Sequence, residues 1–356
     1  MASIKLKGDT SGEVTIQAPA VAGTTTLNLP ATSSTLATQN ALGVRNLIIN
    51  GDMRIAQRGT SFAISTGAMQ YGLDRWAGRT TPSTGLFTVS QSSDAPTGFQ
   101  KSLLATVTST YTPSGTSSST IRHYIEGYNT AHLDWGNANA KTVTLSFWVK
   151  SSVTGNFGGA FRNESATYSY PFLYTVSSAN TWEQISITIS GATSGSWAKT
   201  SGSGVQVLFS LGTGDGHTAP ANSWIASDNH GADGQVQLIE TSGATWQITG
   251  VQLEVGDTAT PFEHRPYDME LARCQRYYST ITVSQRGYAG TTTVYVAGAT
   301  LPMTMRATPT LAVISTGSSQ TDTLTAVTNN HITSAGTVSS GNQYLIQPLC
   351  SASAEL

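Results

Sequence analysis

The central stretch of this chain is a succession of short runs in which apolar and polar residues alternate with period two. Turns rich in Gly, Ser, Asn and Thr separate them, and almost nothing repeats with the period of a helix. Arg45–Ile49 opens the series, and Leu103–Val107, Thr142–Val149, Glu183–Ile189, Val205–Phe209 and Trp246–Leu253 are its clearest members. Period-two alternation puts one face of a strand in a core and the other in water. Many such runs at short, irregular spacing predict an all-β fold, an antiparallel jelly-roll β-sandwich. One helix is expected, over Asp268–Tyr278 (DMELARCQRYY). Pro266 precedes it, Asp268 caps it, Glu270 lies in its first turn, and Arg273 and Arg276 lie toward its end. Met269, Leu271, Cys274 and Tyr278 supply its apolar face.

The two ends read differently. Residues 1–43 hold only three short extended pieces, Ser3–Lys7, Val14–Gln17 and Thr25–Leu29, with Ile4, Leu6, Val14, Ile16, Leu27 and Leu29 at apolar positions. So few strands cannot enclose a core, and such a segment needs partner chains or a docking surface. Residues 281–356 resume strands at Thr293–Ala297, Thr310–Ile314 and Gln343–Ile346, enough for a small C-terminal β-sandwich. The expected organisation is an extended N-terminal β segment over 1–43, a jelly roll over 44–267, a short linking hinge helix over 268–280, and a distal β domain over 281–356.

Composition narrows the function classes. Charged residues make up 11% of the chain, against about 25% in an average soluble protein. The 18 Lys and Arg are scattered singly and the net charge is −2, so no basic stripe exists to neutralise phosphates or an anionic membrane. Nucleic acid is not an expected partner. Met1–Lys5 lacks the apolar core of a signal peptide and no later run is long enough to span a bilayer, so folding in a cytosol without membrane insertion is expected. Cys274 and Cys350 stand alone in different segments and read as buried apolar groups.

Several strings then carry a resemblance. Lys7–Thr38 (KGDTSGEVTIQAPAVAGTTTLNLPATSSTLAT) resembles the N-terminal anchoring motif of phage tail and virion structural proteins. The series RNLIINGDM (from Arg45), VTLSFWVKSS, WEQISITIS and ITGVQLEVGDTATPFEHRP resembles the galactose-binding-like jelly roll of carbohydrate-binding modules, as found in phage tail fibres. LARCQRYY, Leu301–Thr310 and Ala354-Glu355-Leu356 resemble the distal end of such fibres. The resemblance implies a bacteriophage tail fibre or receptor-binding protein, located in the virion after assembly in the host cytoplasm. It implies a homotrimer, with residues 1–43 bound to other tail or baseplate proteins and the remainder meeting a host surface glycan or receptor. It also implies a structural Ca²⁺ near the first and last strands, with Asp52 and Glu254 as ligands, and no other cofactor. A purely structural baseplate, collar or capsid decoration protein is the alternative, and a polysaccharide depolymerase a more distant one.

Sugar recognition needs flat aromatic faces and hydrogen-bonding groups. The loops offer Tyr128, His132, Asp134 and Trp135, then Tyr168 and Tyr170, then Trp197, and in the long Leu211–Gly234 stretch Asp215, His217, Trp224, Asp228 and His230. From these, Trp135, Trp197, Asp215, His217, Trp224, Asp228 and His230 are the candidate glycan-binding residues, with Trp135 and Trp224 open to a second role as lids folded on the core. Trp148, Trp182 and Trp246 lie in strand motifs and are expected inside. Asp215-Gly216-His217 and Asp228-Asn229-His230 set carboxylates beside imidazoles, yet no nucleophile elbow or zinc motif accompanies them, and no carboxylate pair has diagnostic spacing. No enzyme is expected. The Gly-rich runs open no helix and read as turns rather than phosphate loops.

Overall fold

A computed structural model describes residues 3–7, 13–17, 45–65, 67–81, 86–288, 293–316, 323–338, 343–346 and 348–356. The chain divides into two units, Met1–Gly43 and Val44–Leu356. In the first, β1 (Ser3–Lys7) pairs antiparallel with β2 (Glu13–Gln17), Ile4 opposite Ile16 and Leu6 opposite Val14. Leu27, Leu29 and the third expected strand lie outside the described residues.

The second unit is built on a β-sandwich. Its strands, in chain order, are β3 (Ser61–Ile64), β4 (Gln70–Tyr71), β5 (Trp76–Thr81), β6 (Leu86–Ser92), β7 (Ser102–Ser109) and β8 (Ser118–Glu126). They continue as β9 (Val143–Ser151), β10 (Gly155–Arg162), β11 (Ser169–Val176), β12 (Glu183–Ile189) and β13 (Ser203–Thr213). After the two-residue β14 (Thr218–Ala219) and β15 (Gly231–Ala232), β16 (Thr245–Val255) closes the set. Two six-stranded sheets result, β11-β10-β13-β8-β5-β4 and β12-β9-β16-β7-β6-β3, and their within-sheet pairings are antiparallel, so the all-β jelly-roll expectation holds.

The alternation sets the core. Val205, Val207, Phe209 and Leu211 of β13 face Leu145, Phe147 and Val149 of β9, and Phe209 meets Phe147 at 5.2 Å and Trp246 at 5.6 Å across the sandwich. In β16 the inward set changes parity, from Trp246 and Ile248 to Val251 and Leu253. A bulge between Thr249 and Gln252 permits this, with Gly250 at φ 62°. Trp148 and Trp182 depart from the core expectation and are half-buried. Trp148 falls between the inward Phe147 and Val149, and Trp182 precedes β12, with its indole N–H on Asp94 at 3.1 Å.

Arg45–Ile49 also departs from its strand expectation. Asn46 donates from Nδ2 to the Val251 carbonyl at 3.0 Å and accepts the Leu253 amide at 3.1 Å. The Leu47 amide also donates to the Leu253 carbonyl at 2.9 Å, so side-chain and backbone bonds together tie the segment to β16 without making it a strand.

The helix spans Tyr267–Gln275, without a side-chain cap, after Pro266. It starts one residue before Asp268 and stops before Tyr277 and Tyr278, because the chain there turns into β17 (Tyr278–Thr282). Its buried face is Glu270 and Cys274, while Met269 is exposed. Glu270 pairs with buried Arg265 at 3.1 Å. Beyond the helix, β17 joins a three-stranded sheet with β20 (Thr310–Thr316) and β24 (Pro348–Ser353). β18 (Gln285–Tyr288) pairs with β23 (Gln343–Ile346), and β19 (Thr293–Thr300), β21 (Thr323–Ala326) and β22 (His331–Val338) form a third sheet. Their core is small: Val283, Leu301, Met305, Ile332 and Cys350 with alanines.

A polar seam ties these strands to the sandwich. Glu355 is held by Arg58 at 2.9 Å and by Arg75, whose guanidinium is fully buried against the Tyr277 ring at 3.6 Å. Arg276 grips Glu126 at 2.6 and 2.8 Å, and the Tyr277 hydroxyl donates to the same carboxylate. Ile49, Ile55, Cys274 and Tyr277 pack beneath, with Leu271 and Leu356 against them. Both cysteines are buried and not joined in a disulfide.

Candidate functional site

The first sheet has an outer face that carries polar groups out of water. On β8 and β13 every residue is buried, including the outward Ser118, Thr120, Arg122, Gln206 and Ser210. The covering segment is the long connection after β13. It lies close because Gly158 and Gly231 have no side chain: a Cβ at either would stand 1.8 or 2.1 Å from Gln235 Oε1. Gln235 is fixed there by donating to Ser210 Oγ at 2.7 Å and accepting the Ala232 amide at 3.1 Å.

Under this segment the structure gathers His217, Asp228 and His230 around Arg162 of β10. The two imidazoles stack at 4.2 Å and 19°. Arg162 Nη1 donates to Asp228 Oδ1 at 2.5 Å and to His230 Nε2 at 2.8 Å, and its Nε and Nη2 donate to Gln206 Oε1 at 3.0 and 2.6 Å. Because a guanidinium only donates, His230 Nε2 must accept, and its proton sits on Nδ1, directed at Ser118 Oγ at 2.9 Å. Burial, opposed by the Asp228 carboxylate and reinforced by Arg122 and Arg162, pushes the His230 pKa down to about 3. Burial alone would raise the Asp228 pKa, but the Arg162 guanidinium bonded to it wins and holds it far below the usual carboxylate range. His217 Nδ1 donates to the Asp228 carbonyl at 2.6 Å, which leaves its Nε2 as the outward atom.

This settles what the cluster can do. Ser118, His230 and Asp228 share the residue types of a nucleophilic triad, but His230 donates to the serine rather than accepting its proton, and so neutral a base cannot activate it. The potential ligand atoms of His217, Asp228 and His230 lie within 4.8 Å of one another. Arg162 already occupies the centre, bonded to two of the three, so a cation has no place there. The cluster is a closed polar pin that holds the covering segment to the sheet.

The Ca²⁺ expectation at Asp52 and Glu254 is corrected. Asp52 is paired with Arg54, and burial raises its pKa. Glu254 spends its oxygens on Gln252 Nε2, the Thr260 amide and the Thr260 hydroxyl at 2.9, 2.9 and 2.7 Å. The two carboxylates serve separate networks and do not fit the six to eight oxygen ligands of calcium.

Trp135, Trp197 and Trp224 do meet, although they come from three loops. Their rings stand edge to face at 4.9, 5.2 and 5.4 Å. Trp135 and Trp197 are only 3% and 9% exposed and belong to the core, so neither offers a face to a ligand. The indoles bury too much apolar area to stand in water where loops can close over them. Trp224 is half-buried, stacked on Tyr168 at 5.6 Å and 1°, and Tyr170 is buried beneath it. Tyr128 is exposed, as is His132, and Asp134 lies 3.6 Å from Lys199.

Two open recesses border the covered face. The larger, about 540 Å³, has Arg79, Tyr111 and His217 in its walls, ringed by the hydroxyls of Thr81, Thr112, Ser114, Thr116 and Ser117. The smaller, about 320 Å³, is bordered by Asp215, Asp233, Gln235 and Gln237. Ser114 and Gly214 are in backbone contact, and Asp215 accepts the Gly115 amide at 2.8 Å, which builds the wall between them. Of the expected ligand-binding residues, His217 reaches the larger recess and Asp215 the smaller.

Sequence reading passed over Arg79, Tyr111, Arg122 and Arg162. A signal did exist: arginines are rare in so uncharged a chain, and Arg122 and Arg162 sit in strands made mostly of apolar or neutral residues. Arg122 is fully buried, donates only from Nε to Thr120 Oγ1 at 2.8 Å, and leaves both terminal nitrogens without a partner. Burial pulls its pKa down to about 10.

No family model and no curated protein matches the chain. Solved structures do. The enzymatically active domain of bacteriophage CBA120 tailspike protein 4 is similar at 12% identity and TM-score 0.32, over 59% of this chain and 21% of that one. The chain thus spans about a fifth of the tailspike domain's length. The N-terminal cellulose-binding domain of Cellulomonas fimi β-1,4-glucanase C is similar at 13% identity and TM-score 0.26, over 58% of this chain and 95% of that one. A family 11 carbohydrate-binding module of a Clostridium thermocellum cellulase is similar at 10% identity and TM-score 0.25, over 60% and 96% of the two chains. At such identities no residue of theirs is carried over to this chain.

Proposed function

We propose that this chain is a glycan-binding attachment subunit of a bacteriophage virion, a tail fibre or receptor-binding protein. The observation that carries the sugar reading is the larger recess of about 540 Å³, which Arg79, Tyr111 and His217 border together with the hydroxyl-bearing Thr81, Thr112, Ser114, Thr116 and Ser117. That is the chemistry a pyranose requires, an apolar face to lie on and directional partners for its hydroxyls. The virion reading rests on the motif resemblance of Lys7–Thr38 and of the distal strings. On this reading residues 1–43 dock to tail or baseplate proteins, the particle acquires the chain in the host cytoplasm, and three copies add avidity to a weak single site.

The test is binding of the full chain to a glycan panel and to host cells, beside a chain lacking residues 1–43. The shortened chain is expected to keep its affinity for cells and to fail to enter particles. Absence of binding to every glycan and every host cell would sink the reading. A structural role in assembly is favoured by one observation: Val313 and Ile314 are 42% and 51% exposed on β20, an edge strand of its sheet. Electron microscopy of the particle locates the chain and separates the two roles.

A further inference from the structure

Building on the glycan reading, we infer that the larger recess takes an acidic sugar, one whose carboxylate is clamped by Arg79. Arg79 Nε donates to the Gly67 carbonyl at 2.8 Å, which fixes the stem, and its terminal nitrogens meet no protein acceptor among the described residues. A planar fork held by its Nε and open at its end suits the two oxygens of a carboxylate. Among the described residues no Asp or Glu borders this recess, whereas Asp215 and Asp233 border the smaller one, so the two spaces differ in sign.

The charge behind the wall has the same sign. Arg79 stands opposite Thr120 on β8, and Arg122 follows two residues on along the same face. Of the nearby carboxylates, Asp228 is already paired with Arg162, and Asp215 accepts the Gly115 amide in the wall. Among the described residues Arg79 and Arg122 form no ion pair with a carboxylate. His217 Nε2, with Nδ1 committed to Asp228, accepts from a ring hydroxyl, and the Tyr111 ring, held by its hydroxyl on the Thr81 carbonyl at 3.1 Å, supplies the apolar face.

Calorimetry of the full chain against galacturonate, glucuronate and mannuronate oligomers, each beside the same oligomer with its carboxyl groups reduced to alcohols, tests this. The acidic form of the bound oligomer is expected to bind at least about tenfold tighter, as loss of a charge-assisted bidentate contact implies. Arg79→Gln should cost about tenfold to a hundredfold on the acidic form and little on the reduced one, with Arg79→Lys between. An unchanged melting temperature of both variants shows that the fold is intact. Raising the salt from 50 to 500 mM should weaken only the acidic form. Equal binding of acidic and reduced oligomers, or neutral sugars bound with Arg79→Gln silent, overturns the inference and leaves the glycan reading standing. Preference for sulfated or phosphorylated neutral oligomers overturns the carboxylate assignment. No binding to any oligomer or glycan overturns both.

Discussion

Acid should loosen this protein well above the range in which carboxylates titrate, because two imidazoles are buried neutral. His230 has its pKa pushed down to about 3, against 6.5 for a free imidazole. A fall of that size corresponds to on the order of 4–5 kcal/mol at about 1.4 kcal/mol per unit. The folded pKa is depressed, so this stability is fully present above pH 6.5 and is lost as pH falls toward 3. His123, fully buried against Trp76 at 5.0 Å, is shifted in the same direction by burial and Arg75. Each imidazole gives a slope of at most about 1.4 kcal/mol per pH unit between roughly pH 6 and 4. Asp52 and Asp74 act oppositely: burial raises their pKa values, the folded state takes up their protons first, and they gain stability as pH falls. The comparison that isolates His230 is therefore between wild type and His230→Asn, by urea unfolding from pH 8 to 4.5. The variant should be less stable at pH 8, with a curve shallower by about one proton's slope. Wild-type stability that stays flat from pH 7 to 5, or parallel curves for the two proteins, would refute the reasoning.

Other perturbations follow from the same geometry. Glu355→Ala leaves Arg75 buried with no carboxylate and should cost about 3–5 kcal/mol, read as a drop in urea midpoint. Trp135→Ala removes a core indole and should cost about 3–5 kcal/mol. Trp224→Ala should cost less and leave the affinity of the Arg79 recess unchanged, since Trp224 does not border it; a lost affinity would place the sugar elsewhere. Gly158→Ala drives a methyl into Gln235 and should lift the covering segment, costing about 1–3 kcal/mol and raising amide exchange over 231–237.

The fold was legible because a sandwich strand announces itself locally: VTLSFWV and EQISITI alternate in the very register that β9 and β12 adopt. Legibility failed where a side chain replaced backbone or where parity misled. Asn46 supplies amide groups that a strand would have supplied, and no periodicity reveals that. Trp148 lies in a strand motif, which points it inside, yet its neighbours Phe147 and Val149 already claim the inward parity. The site was less legible for a different reason. Arg162 meets Asp228 across 66 positions, and Arg79 shares a recess with His217 from a strand far earlier in the chain. Residue type marked His217 and Asp228 as capable of chemistry, but only the position of Arg162 shows that their capacity is already spent.

That expenditure also explains where charge sits in a chain with so little of it. Buried ions are costly unless paired, and here paired ions cluster where a segment closes on the sandwich. Arg58, Arg75 and Arg276 with Glu355 and Glu126 close the C-terminal strands on it. Arg265 with Glu263 and Glu270 closes the helix. Arg162 with Asp228 closes the long connection. Each of these arginines is matched to a carboxylate, whereas Arg306, which also ties the C-terminal strands, bonds the carbonyls of Ser201, Ala354 and Glu355. Among the described residues Arg79 and Arg122 are matched to none, and they lie side by side on one face, behind and within the wall of a recess whose described lining holds no acid. At Arg79 a carboxylate from outside the chain would meet a guanidinium held by its Nε and open at its end, with a second, buried guanidinium behind it, and that is the ground for placing a carboxylate there.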